Sequence, residues 1–128
     1  MAPRILVITG VQIDETFYLS LPMPEGWHAL ISRSVTEALQ LLMTTPFPIV
    51  IYDRDLPSSS WRDVLDQVVA ISPDSCFLLV SRVSDEYLWR EVVAHGGYDV
   101  ISKPLQESAV MQSLRRAWNF WRAEHAKA

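Results

Sequence analysis

The chain has 128 residues, 49% hydrophobic and 20% charged, with a net charge of −4 and a pI of about 5.2. That balance belongs to one folded domain with a real core; it excludes a disordered segment and argues against a basic nucleic-acid surface. The one cysteine, Cys76, has no partner for an internal disulfide, and no apolar run reaches the roughly 18 residues of a membrane span. Residues 1–4 run into the first strand without a leader pattern, so a cytoplasmic location is expected, and Cys76 reads as a buried small hydrophobe.

Five short apolar runs alternate with amphipathic stretches. The first, residues 5–8, reads as a strand leading into Thr9-Gly10. Ile13, Phe17 and Leu21, spaced by four, predict a short helix over 12–20 that Pro22 and Pro24 stop. Residues 27–31 form a second strand candidate. Ser34-Val35-Thr36-Glu37 matches a capping box and opens a helix carrying Ala38, Leu39 and Leu42. After Pro46 and Pro48 comes the strand 49–52, which ends on a carboxylate in Asp53-Arg54-Asp55-Leu56-Pro57.

Ser58-Ser59-Ser60 reads as a polar loop. Trp61, Val64, Leu65 and Val68 then predict a third helix, closed by Ser72-Pro73-Asp74. Residues 76–81 form a continuous apolar strand ending in the Ser81 hydroxyl. Asp85 is suited to cap a fourth helix through Val93, which Gly96-Gly97 ends. Val100-Ile101 is the last strand and leads into Ser102-Lys103-Pro104. The final helix, over 106–122, has Val110, Leu114, Ala117 and Trp121 as its core face. The expected organisation is one domain over 1–122 and a polar tail over 123–128.

Strand–helix alternation implies a parallel sheet covered on both faces, because crossovers between parallel strands are right-handed. The fold class is therefore α/β: a flavodoxin-like three-layer sandwich with a five-stranded parallel sheet in the order 2-1-3-4-5. In such sheets the carboxyl ends of the strands carry the chemistry, and Asp53 and Lys103 both lie there.

Over nearly its whole length the chain resembles the receiver domains of two-component response regulators. Asp53 with Leu56-Pro57 resembles the phospho-accepting aspartate and its Leu-Pro; Ser81 matches the Ser or Thr closing the fourth strand; Lys103-Pro104 resembles the Lys-Pro after the fifth. The resemblance implies attack of Asp53 on a phosphohistidine, with Lys103 and the Ser81 hydroxyl contacting the phosphoryl group. It also implies a cis Lys103-Pro104 bond.

Three departures stand beside it. Where the family closes its first strand with two acids that bind Mg²⁺, this chain has Thr9 and Gly10. Asp53 and Asp55 remain as metal ligands, and weak Mg²⁺ binding is expected, with Asp14 and Glu15 about a turn away as substitutes. Arg82 replaces a small residue and is a candidate occluder of the pocket by pairing with Asp53 or Asp55, or else an exposed loop arginine. Val100 stands at a position often aromatic, and Tyr98, two residues earlier, is expected on the same side. Trp61 falls near a usual glycine.

Tyr87, Trp89, Met111 and Trp118 are candidates for an interface on the fourth helix, fifth strand and fifth helix, where the family makes dimers and partner contacts. Arg115, Arg116, Arg122 and Lys127 make the last helix basic, but Glu124 interrupts them, and no direct nucleic-acid or membrane binding is expected. His28, His95 and His125 show no ligand spacing.

The leading expectation is an atypical receiver in phosphorelay signalling. It would not be an enzyme, and would act by contact with a histidine kinase or other signalling protein, or with a second copy. The alternatives are a functional phospho-acceptor whose metal site is rebuilt with Asp14 or Asp55, and a flavodoxin-like nucleotide or flavin binder using Gly10.

Overall fold

A computed structural model describes residues 2–57 and 60–126. The strands are β1 (Arg4–Ile8), β2 (His28–Ser32), β3 (Ile49–Asp53), β4 (Cys76–Ser81) and β5 (Asp99–Ser102). Between and after them come the helices α1 (Gln12–Leu19), α2 (Val35–Thr44), α3 (Trp61–Ile71), α4 (Glu86–Ala94) and α5 (Glu107–Ala126). All strand pairs are parallel, in the order β2-β1-β3-β4-β5. This is the expected architecture.

The inner strands read as unbroken apolar runs because both of their faces are covered. Leu6, Val50, Tyr52, Phe77 and Leu79 pack with α2, α3 and α4; Ile5, Val7, Ile49, Ile51, Leu78 and Val80 pack with residues of α1 and α5. Side chains alternate across the sheet, so each strand contributes to both cores.

Local signals set several element ends. Ser34 Oγ accepts from the Glu37 amide at 3.1 Å, Ser60 Oγ from the Asp63 amide at 3.3 Å, and Asp85 Oδ1 from the Leu88 amide at 2.8 Å. Gly96, at φ +98°, turns the chain out of α4, and the Gly97 amide donates to the Val92 carbonyl at 2.8 Å. A Cβ on Gly97 would lie 2.5 Å from Val92 Cγ1, so this turn is tight enough to need glycine. It delivers the chain into β5 and so positions Lys103.

Four expectations shift. The last helix continues through Ala126, so most of the presumed tail is helical; Lys127 and Ala128 lie outside the described residues, as do Ser58 and Ser59 of the serine run. Ile13 is exposed, and α1 buries Tyr18 instead. Tyr98 precedes β5, so strand alternation does not govern it: Tyr98 packs on the α1/α5 side and Val100 on the other. Finally, Met111 and Trp118, proposed as interface residues, are buried together with Val110, Leu114 and Ala117. A helix covering a sheet buries a wider stripe than four positions, and residues one step from the central row fall inside it.

Candidate functional site

The β1–β3 register pairs Ile8 with Tyr52, so the next residues, Thr9 and Asp53, emerge side by side at the sheet's carboxyl edge. Both are fully buried. Asp53 Oδ1 accepts from the Asp55 amide at 2.9 Å, and Oδ2 accepts from Thr9 Oγ1 at 3.1 Å. The remaining partner of Oδ2 is the Lys103 ammonium, at 2.8 Å.

Lys103 Nζ is a junction of three acids. It lies 2.8 Å from Asp14 Oδ2, 2.8 Å from Asp53 Oδ2 and 3.0 Å from Asp55 Oδ2, and the lysine side chain is only 6% exposed. Burial by itself pulls the lysine toward deprotonation, but the hydrogen bonds with Asp14, Asp53 and Asp55 win and hold its pKa above the ordinary value. In return, the Lys103 hydrogen bond, against partial desolvation, holds the Asp55 carboxyl below its usual range, with help from Arg82.

Of the two substitutes offered by the sequence, Asp14 and Glu15, it is Asp14 that joins Asp53 and Asp55 at the rim. The link from β1 to α1 is three residues long, so the first turn of α1 sits over the strand ends and Asp14 reaches the site. Its Oδ2 is buried and has no well-aligned hydrogen bond beyond this ion contact. Glu15 turns away and pairs with Arg33 at 2.8 Å. Gly10 brings no ligand; a Cβ there would meet Leu56 Cδ1 at 2.7 Å.

Two residues of the site were missed in the sequence. Tyr18, four residues after Asp14 and hence on the same helical face, buries a hydroxyl without a hydrogen-bond partner. Burial, then the negative charges of Asp53 and Asp14, push its phenol well above its ordinary pKa. Arg54, next to Asp53, sends Nη1 to within 3.4 Å of Ser81 Oγ, which also accepts from the Val83 amide at 3.2 Å. Only adjacency to Asp53 could have pointed to Arg54.

Arg82 combines both expectations: its side chain is 73% exposed, yet Nε contacts Asp55 Oδ2 at 3.0 Å. It pairs with Asp55 and has no contact with Asp53. Trp61 is buried under the rim beside Tyr52, Arg54 and Asp55, with the Arg62 guanidinium 4.5 Å from its ring centre. Far from the rim, burial pushes the Cys76 thiol up to about 11, as for an inert core cysteine.

Asp53, Ser81 and Lys103 thus meet at one edge of a five-stranded sheet, with Lys103-Pro104 in the cis form. The chain has the fold of a response-regulator receiver domain. The signal receiver domain of an HD domain-containing protein from Pseudomonas fluorescens Pf-5 superposes with a TM-score of 0.85 at 24% identity, covering 98% of this chain and 93% of that one. The receiver domain of a putative Luxo repressor protein from Vibrio parahaemolyticus gives 0.88 at 18% identity, covering 98% and 97%. In sequence, the C4-dicarboxylate transport transcriptional regulatory protein DctD of Rhizobium meliloti (strain 1021) is 33% identical over 84 residues. That match takes in 66% of this chain and 18% of DctD, so the chain corresponds to a small part of that relative. No protein-family model matches.

Receiver domains bind Mg²⁺ at an acidic site, and the acids at this rim are Asp14, Asp53 and Asp55. Mg²⁺ demands near-octahedral oxygen ligation at about 2.0–2.1 Å. Asp14, Asp53 and Asp55 instead converge on an ammonium, and among the described residues no group of three or more acidic, histidine or cysteine side chains is arranged to hold a metal. On the outer surface Tyr87 is 71% and Trp89 45% exposed on α4, with Val93 and Phe120 also exposed. No described helix is long and apolar enough to cross a membrane.

Proposed function

We propose that this chain is an atypical receiver module of two-component or phosphorelay signalling. It acts by protein contact, takes phosphate at Asp53 weakly, and turns over no small molecule. The observation that carries this reading is the Lys103 ammonium held by Asp14, Asp53 and Asp55. A divalent cation would have to compete for Asp14, Asp53 and Asp55 with a tethered ammonium already paired to all three, without the two acids that Thr9 and Gly10 replace. Mg²⁺ affinity is therefore weak.

Its partners are a histidine kinase or another signalling protein, or a second copy meeting it through α4, β5 and α5. Exposed Tyr87, Trp89, Val93 and Phe120 support that surface; buried Met111 and Trp118 take no part. The domain proper, residues 1–122, extends into the α5 turn beyond it. A Cβ on Gly10 would meet Leu56 Cδ1 at 2.7 Å, so packing against Leu56 accounts for this glycine without a nucleotide or flavin site.

One observation favours the second reading, a competent phospho-acceptor with a rebuilt metal site: the buried Asp14 oxygen within reach of Asp53 and Asp55. A single experiment separates the two. The chain is incubated with a small phosphoryl donor and Mg²⁺, with labelling followed by intact mass and metal binding by tryptophan fluorescence through Trp61. The atypical reading expects little anhydride and no saturable response at millimolar Mg²⁺. Rapid stoichiometric labelling of Asp53 with saturable quenching would establish the rebuilt site instead.

A further inference from the structure

We propose that Arg54 and Arg82 supply, as two guanidinium groups at the rim, the positive charge for a phosphoryl group at Asp53 that a divalent cation would otherwise bring. The proposal rests on the receiver reading and deepens it, since neither arginine belongs to the residues that carry the resemblance.

The two arginines flank Ser81. Arg54 Nη1 lies 3.4 Å from Ser81 Oγ, and Arg82 Nε lies 3.0 Å from Asp55 Oδ2. Each guanidinium has five N–H donors in a planar fork, which matches tetrahedral oxyanions. The contacts to Ser81, from Arg54 and from the Val83 amide, use its lone pairs and leave its O–H to donate. Charge balance points the same way. Asp14, Asp53 and Asp55 are matched by Lys103, Arg54 and Arg82, so the rim is near neutral without any ion. An incoming phosphoryl dianion meets balanced charge, where an uncompensated acid cluster would repel it.

The step itself is simple. An Asp53 carboxylate oxygen attacks phosphorus; the O–P bond forms as the P–N bond of the donor breaks, and the bonding pair leaves on nitrogen, which takes a proton from water. Arg54, Arg82, Ser81 and Lys103 face the phosphoryl oxygens throughout. No metal takes part.

The test uses phosphoramidate as donor in EDTA, with intact mass as readout and Asp53→Asn as localising control. The expected result is slow addition of one phosphoryl group, lost in Asp53→Asn and slowed about tenfold or more by Arg54→Met or Arg82→Met. Arg54→Lys and Arg82→Lys should recover part of it. Both side chains are exposed, so the variants should fold, which circular dichroism checks. No addition in EDTA, addition indifferent to both arginines, or addition that persists in Asp53→Asn each overturns the proposal. Absence of label with and without Mg²⁺ sinks this inference alone; fast labelling only with Mg²⁺ also sinks the metal-poor reading.

Discussion

Two ion pairs of nearly equal length sit in opposite environments. Lys103 Nζ is 2.8 Å from Asp53 in a rim where these side chains are 6% and 2% exposed; Arg90 Nη2 is 2.7 Å from Glu86 on the surface of α4, at 70% and 75%. Distance does not distinguish them, but solvent does. Water screens the surface pair, and holding two long side chains together costs entropy, so its net contribution is small. The buried cluster gains more from each contact and risks more if one partner goes, because each charge was desolvated on the assumption of its neighbours.

The sharpest way to break this contrast is Lys103→Met. It strands Asp14, Asp53 and Asp55 together, and should lower unfolding stability by about 3 kcal/mol or more, read from urea denaturation. A loss under about 1 kcal/mol would mean that the rim is far wetter than its burial implies.

A smaller effect should appear with pH. The folded Asp55 carboxyl titrates below its unfolded value, so its stabilisation is present above about pH 4 and is lost as pH falls through the folded pKa. Lys103, raised on folding, stabilises fully below about pH 10.4 and loses that contribution as pH rises through its folded pKa. Asp55→Asn should therefore flatten the acid limb of a stability profile taken from about pH 7 to pH 3. An unchanged acid limb would remove Asp55 from the cluster. The smallest effect belongs to Arg90→Ala, expected within about 0.5 kcal/mol of the parent by the same urea measurement. A larger loss would erase the distinction between surface and rim.

The sequence made the three strand-end residues legible because each closes an apolar run, and parallel topology brings such ends together: Asp53, Ser81 and Lys103 needed no side-chain detail. Asp14 and Tyr18 depended on how α1 leaves β1, a three-residue link whose path no periodicity records. Arg54 was hidden by its ordinariness, since arginine after a strand is usually solvated. Met111 and Trp118 failed for another reason: spacing locates the centre of a buried stripe, and its width is set by the sheet beneath.

The Lys103 contacts also bear on the order in which the chain assembles. Asp53 and Lys103 are separated by 50 positions, and Asp14 lies further still. Closing such distant loops costs chain entropy, so the ammonium and its acids are expected to meet late in folding, once the strands that carry them are paired. On that expectation the junction acts as a clasp that slows unfolding, while the apolar strands form the nucleus.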